Sequence, residues 1–194
     1  MKLYGASGHG KVIIRILEDL GLPIRKIYDD RAPFKILNYD VIKYDGHENE
    51  NFIVSIGNNK TRKKMVEKLK NILFAKAIHP SALVDKTVKI GEGTVIMPGA
   101  IVNVDSQIGK HCIVNTAATI DHECQLEDFV HISPNATLCG NVNVGEGTHI
   151  GAGAVVIPGI KIGKWATIGA GTVIIKDVPD GVTVVGNPGR IIKK

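Results

Sequence analysis

The residues best suited to chemistry are a His–Glu pair and a glycine-rich turn. His122 and Glu123 are adjacent in the string IDHEC. An imidazole titrates near neutral pH, so it can take a proton from an amine or hydroxyl, and a neighbouring carboxylate can orient the ring and raise its basicity. The chain has seven histidines. His131 and His149 are 18 residues apart, and His9 lies in the turn GASGHGK, Gly5 to Lys11. His47, His79 and His111 carry no assigned role. Gly5, Gly8 and Gly10 read G-x-x-G-x-G, unlike the dinucleotide order G-x-G-x-x-G. A glycine turn entering a helix aims backbone N–H groups at an anion, which makes Ser7, Gly8 and His9 candidates for a phosphorylated ligand. The acidic pair Asp29–Asp30 follows about 20 residues later, where ribose hydroxyls are commonly held. A third turn runs from Gly57 to Asn59.

The elements that must carry these groups fall into two regions. Residues 1–77 read as strand, glycine turn, helix, strand. Lys2 to Tyr4 is a short apolar start. The run Val12, Ile13, Ile16, Leu17, Leu20 has helical spacing and ends at Gly21 and Pro23. Ile24 to Tyr28 and Phe52 to Ile56 are strands, and Thr61 to Ile72 is a basic helix with Met65, Val66, Leu69 and Ile72 on one side. This is a βαβ pattern, so a small α/β, Rossmann-like parallel sheet is expected, with all three turns at strand C-terminal ends. The unit is about half a full dinucleotide fold. It suits a mononucleotide or nucleotide-sugar better than NAD. Tight turns alone would also account for the glycines.

From Ile78 to Ile174 an aliphatic residue recurs every six positions, and a mostly small residue follows four places later. A fixed short repeat whose units cannot bury a core alone implies a stacked solenoid, here a parallel β-helix. Three hexapeptides make one triangular coil, so residues 18 apart stack. Glycine and asparagine next to the aliphatic residue (Gly91, Gly109, Gly145, Asn103, Asn115) are expected to form the corners, where unusual backbone angles are needed. Cys112 and Cys124 fall on small inward positions and read as core filler, and Cys139 lies at a corner.

An apolar share of 44% and a charged share of 22% fit a globular protein of one or two domains. Apolar stretches fall short of a membrane span, and the N-terminus lacks a signal-peptide pattern, so a cytoplasmic location is expected. Three cysteines suggest no disulfide framework. The net charge of +5 suits an anionic ligand, but with 5% aromatics and no basic–aromatic alternation nucleic-acid binding gets little support.

Residues 78–174 resemble the hexapeptide acyltransferase family. The strings YGASGHG, YDD, IGNNKTRKK, IDHEC, GNV and VGNPGR, in this order, resemble one subfamily: bacterial sugar-nucleotide acetyltransferases that N-acetylate a UDP-4-amino sugar, with relatives acting on GDP-linked amino sugars or sialic acid. The resemblance implies a left-handed β-helix in 78–194, a nucleotide-sugar domain in 1–77, acetyl-coenzyme A as co-substrate, and a homotrimer with sites between subunits. It implies His122 as general base and Glu123 as the carboxylate tuning it. Ser7, Gly8, His9, Asp29, Asp30 and Gly57 would meet the nucleotide-sugar, and His131 acetyl-coenzyme A. Gly140, one coil above His122, is small enough for a pantetheine arm, and its N–H could hold the thioester oxyanion. Ala152 and Ala170 continue that path, and Asn115 is a polar contact beside it. No metal is expected: stacked histidines invite a zinc reading, but a catalytic site needs three convergent ligands. Sugar O-acetylation, a non-catalytic nucleotide-binding scaffold, and long-chain acyl transfer from a carrier protein are the competing readings.

Overall fold

The computed structural model describes residues 1–47 and 51–193. The N-terminal sheet contains β1 (Lys2–Tyr4), β2 (Lys26–Tyr28), β3 (Phe34–Ile36), β4 (Tyr39–Ile42) and β5 (Phe52–Val54), in the order β3-β4-β2-β1-β5. All pairings are parallel except the β3–β4 hairpin. That hairpin is absent from the sequence reading because its turn lacks the usual Asn-Gly or Gly signal: Leu37 takes the left-handed conformation, at φ 50°. Helix α1 (Gly8–Asp19) starts before the periodic run. The glycine turn is itself the first helical turn, and an added Cβ on Gly10 would lie 2.7 Å from the Gly5 carbonyl oxygen. Helix α2 (Asn59–Lys68) stops short of Ile72, since its C-cap Leu69 leaves the helical region at ψ 71° and Asn71 is then left-handed at φ 59°. Leu69 and Ile72 are still buried, packed with Tyr4, Tyr28, Phe52 and Val54.

From Ala77–Ile78 to Val173–Ile174 each hexapeptide contributes a two-residue strand. Strands 18 residues apart pair in parallel, as in Ile113↔His131↔His149, and build the three faces of a prism. The aliphatic and small positions fill its core from Ile96 onward. Three inward hydroxyls are satisfied within the stack: Thr94, Ser106 and Thr148 donate to the carbonyls of Gly109, Asp121 and Gly163 and accept from the amides of Cys112, Cys124 and Ala166. The buried Thr172 hydroxyl, by contrast, has no partner among the described residues. Cys112 and Cys124 are fully buried, and burial pushes their thiols up to about 12 and 11, which makes them inert filler. Thr183–Val185 and Arg190–Lys193 pair antiparallel beyond the last coil.

The corners differ from expectation. Left-handed backbone falls three places after the aliphatic residue, at Gly93, Gly99, Asp105, His111, Ala117 and Glu123 among others. Glycine directly after the aliphatic residue answers a different need. An added Cβ at Gly91 or Gly109 would lie 2.6 Å from the backbone of the next coil, so those glycines permit coil stacking.

The α/β unit sits on one face of the prism and shares a core with it. Leu3, Ile13, Ile16 and Leu17 pack with Val95, Met97 and Ile113 of the coils. The outward column on that face reads Val95, Ile113, His131, His149, Thr167. It is apolar beneath the α/β unit and becomes polar where a cleft opens.

Candidate active site

Paired strands divide the coil residues singled out in the sequence into two groups. His122, Glu123 and Gly140 share one corner, which follows the strand pair Thr119–Ile120 and Thr137–Leu138. Asn115, His131, Ala152 and Ala170 lie on and just after the face opposite that corner, which the α/β unit partly covers; the column through Gln125 comes between them along the chain.

On the first corner His122 is half exposed, and its Nδ1 is 3.1 Å from Glu123 Oε2. A carboxylate at Nδ1 favours the tautomer with the proton there, leaving the Nε2 lone pair free to accept. Glu123 reaches this position from a left-handed residue, φ 57°. Asp121 fixes the corner backbone: its Oδ1 accepts from the His122 amide at 2.8 Å and from Asn103 Nδ2 at 2.9 Å. The Asn103 hydrogen bond, then the amide, hold the Asp121 carboxyl below its usual range. The ring lies over Gly140, where an added Cβ would be 2.4 Å from His122 Cε1 and 2.5 Å from Nε2. Cys139, next to Gly140, is half-buried.

On the second face a cleft of about 700 Å³ opens between the α2 N-terminus and the coils, lined by Gly57, Asn59, Lys60, His131, His149 and Trp165 among others. His131 and His149 stack with centroids 4.9 Å apart. His149, read from sequence as surface, is half-buried in this cleft, with Nε2 2.7 Å from Ser133 Oγ. Asn115 Nδ2 is 3.1 Å from His131 Nε2, and the Gly57 backbone faces the His131 ring closely enough to oppose part of the burial effect on it. Burial, then the neighbouring His149, lowers His131 to about 3, and burial lowers His9 to about 4. Both rings are neutral at physiological pH. Ala152 and Ala170 are exposed small residues on the adjoining corner.

The three turns of the α/β unit follow β1, β2 and β5, which are neighbours in the sheet. Ser7 is the extended N-cap of α1, and Gly8 has open space where a side chain would be. His9 packs near Gly57, whose built Cβ is 3.8 Å from His9 Cβ. Asp29 is buried. Its carboxylate accepts from the Ala6 amide at 2.9 Å and, in bidentate fashion, from Arg31 Nε and Nη2 at 2.8 and 2.9 Å. The Arg31 bonds hold it well below the usual carboxylate range. Asp29 therefore ties the glycine turn to the end of β2. Asp30 is the more open of the pair and accepts from the Tyr4 hydroxyl at 2.5 Å. Among the described residues no group of three or more His, Cys, Asp or Glu is placed to hold a metal ion.

This arrangement has close counterparts among solved structures. A perosamine N-acetyltransferase from Caulobacter crescentus, solved as a histidine-to-asparagine variant in complex with CoA and GDP-perosamine, is 36% identical, with a TM-score of 0.94 over 100% of this chain and 96% of that one. The chain belongs to the bacterial sugar-nucleotide acetyltransferases of the hexapeptide-repeat family, with their left-handed β-helix. The acetyltransferase domain of PglB from Neisseria gonorrhoeae, solved with acetyl coenzyme A, is 38% identical with a TM-score of 0.92, covering 98% of each chain. Residues 1–69 match the family model of the PglD N-terminal domain, and residues 123–157 and 141–176 match the bacterial transferase hexapeptide model. UDP-N-acetylbacillosamine N-acetyltransferase of Bacillus subtilis is 43% identical over 107 residues, which is 48% of this chain and 49% of that protein. The chain thus spans about half the length of that curated relative.

The sequence reading missed Arg62, and it marked Asn59 only as the end of the third turn. Arg62 is 1% exposed, and its guanidinium reaches across to the coils. A charged residue in a lysine-rich helix gives no signal of burial, although the string IGNNKTRKK already stood out.

Proposed function

We propose that this family member transfers the acetyl group of acetyl-coenzyme A to the amine of a nucleotide-linked amino sugar, most simply a UDP-4-amino-4,6-dideoxy sugar, in a ternary complex. Residues 1–77 carry the nucleotide-sugar and residues 78–194 the acetyl transfer. The observation that carries the reading is the His122–Glu123 pair on an open corner, with the free Nε2 above the small residue Gly140. The amine lone pair attacks the thioester carbon and forms the C–N bond. The C–S bond breaks, and coenzyme A leaves as a thiolate. The amine proton passes to His122 Nε2 and from there to the thiolate. Glu123 stabilises the imidazolium formed between these steps. The Gly140 N–H stabilises the oxyanion. Asn115, His131, Ala152 and Ala170 line the coenzyme A path, and Ser7, Gly8, His9, Asp29, Asp30 and Gly57 surround the nucleotide-sugar.

Within one chain the cleft at Gly57 and His131 lacks His122, which stands on another corner. Closed cyclic association of three prisms would bring a neighbour's His122 to the cleft. The outward column Leu83, Ile101, Thr119, Thr137, Val155, Val173 supports such packing. It ends at the His122 corner, is the most apolar uncovered face, and Leu83 on it is 66% exposed. The polar column Lys89, Gln107, Gln125, Asn143, Lys161 is the solvent face.

Two measurements test this. Purified protein with acetyl-coenzyme A and a panel of UDP- and GDP-amino sugars should release thiol with an amino sugar and not with hydroxyl sugars; release only with the latter would turn the reading to O-acetylation. Co-expression of a His122→Ala chain with an Ala152→Trp chain, each inactive alone, should restore activity in mixed trimers. Mixed trimers without activity would place base and coenzyme wall in one subunit.

A further inference from the structure

Arg62 lies on α2 with its side chain in the seam between the α/β unit and the coils. A guanidinium has five N–H groups, and this one has five acceptors. Nε donates to the His111 carbonyl at 2.8 Å, Nη1 to the carbonyls of Ile56 and Gly57 at 3.0 and 3.1 Å, and Nη2 to Asn59 Oδ1 and the Phe129 carbonyl, both at 2.9 Å. All five acceptors are neutral oxygens. Burying a charge without a counter-ion is costly, and removing the fork would leave carbonyls stranded in the seam. Desolvation accordingly lowers Arg62 to about 10.

The acceptors come from two sets. His111 and Phe129 are left-handed corner residues 18 apart, one on each of two successive coils. Asn59 extends the ladder by one coil, since its Nδ2 donates to the carbonyls of Gly147 and Thr148 at 3.0 and 3.2 Å. The other set, Ile56 and Gly57, is the turn after β5. Gly57 also meets the His131 ring. One side chain thus ties the turn assigned to the nucleotide-sugar to a fixed height along the coils, opposite His131.

We infer that Arg62, with Asn59 as its partner, is a positioning residue: it sets the Gly57 turn in register with the coil face, so that a sugar held by the α/β unit reaches the acetyl donor. This rests on the acetyltransferase reading above. Hydrophobic contact with Val95, Met97 and Ile113 sets the coils on which the unit docks but has no direction, so small shifts along the prism cost little. The directional fork of arginine removes that freedom.

The test uses the full-length protein with Arg62→Lys, Arg62→Met and Asn59→Ala. Lysine has three donors and no fork. In the ligand-free protein, amide exchange at Gly57 to Asn59 should accelerate at least tenfold in Arg62→Lys and Asn59→Ala, with coil amides beyond Thr148 unchanged. Unchanged exchange at the turn would overturn the inference whether or not the activity assignment holds. In turnover assays, KM for the nucleotide-sugar should rise about tenfold, since a displacement near 1 Å can cost up to 10², while KM for acetyl-coenzyme A stays within threefold. Arg62→Lys should lie between wild type and Arg62→Met. A merely structural role would lower kcat through loss of folded enzyme and leave both KM values alone, which would also overturn it. If Arg62→Met does not fold, Asn59→Ala and Arg62→Lys carry the same readouts. Wild-type protein inactive on every amino sugar would sink the function reading and leave the exchange result to decide this one.

Discussion

Removing the imidazole of His122 should cost about 10² to 10⁴ in kcat, the range for loss of a general base. The side chain is on an open corner, so His122→Ala should fold normally, and turnover within tenfold of wild type would take His122 out of the role. Glu123→Gln should cost less, because an amide still accepts from Nδ1–H but does not stabilise an imidazolium. Gly140→Ala is a sharper probe. The new methyl would stand 2.4 Å from His122 Cε1, and the exposed ring can turn away without disturbing the coil. Melting temperature should hold while kcat falls at least tenfold, as expected when a reacting group is displaced by about 1 Å. A variant as active as wild type would show that the resting position of the ring is not the working one.

The two kinds of glycine in the coils make separate predictions. Gly109→Ala would drive a Cβ to 2.6 Å from the Glu127 backbone of the next coil. Both coils are held by ladder hydrogen bonds, so the change should destabilise by about 2–3 kcal/mol, the upper range of overpacking. Gly153 is left-handed at φ 65° with open space around it. Gly153→Ala carries only backbone strain, about 1–2 kcal/mol. Denaturant unfolding of the pair should rank Gly109→Ala as the worse, and the reverse order would mean that the stack relaxes more easily than the geometry suggests. The helices of the α/β unit illustrate the same dependence on local detail. Their existence follows from apolar spacing, while the start of α1 follows from the extended N-cap at Ser7 and the end of α2 from Leu69, which leaves the helical region at ψ 71°.

For the molecule as a whole, the seam between the two units is acid-sensitive. Burial lowers His9 and His111 to about 4 and His131 to about 3, and it also lowers His149. Between the ordinary value of 6.5 and those lowered values, the unfolded chain binds protons that the folded chain refuses. Stability therefore rises with pH across this window and is lost as pH falls from 6.5 toward 3–4. A tenfold difference in proton affinity between folded and unfolded chain is worth about 1.4 kcal/mol. Asp29, also lowered, adds loss of the same sign further down, below its ordinary 3.8. Melting temperature should drop steadily from pH 7 to pH 5, and a flat profile would mean that these rings titrate as in water. His111→Phe should remove part of the slope. The ring is stacked on Phe129 and edge-on to Phe74, its Nδ1 has no partner, and Phe129 one coil on already holds a phenyl ring in the same left-handed conformation.

The sequence by itself determined the prism, its inward residues, the α/β unit before it and the His122–Glu123 pair, because a six-residue period and adjacent residues are local facts. The glycine turn, the Asp29–Asp30 pair and the Gly57 turn were legible for the same reason, as strand ends in a βαβ pattern. Only the tertiary structure decided which of these groups meet. It placed His122 and Gly140 on one corner and His131 with Gly57 on the face opposite, filled the Asp29 carboxylate with Arg31 and the Ala6 amide, and buried Arg62 and Asn59 in the seam. Those outcomes depend on where the α/β unit docks along the coils. Docking is set by contacts between residues as far apart as Asn59 and Gly147, and no period in the chain encodes them.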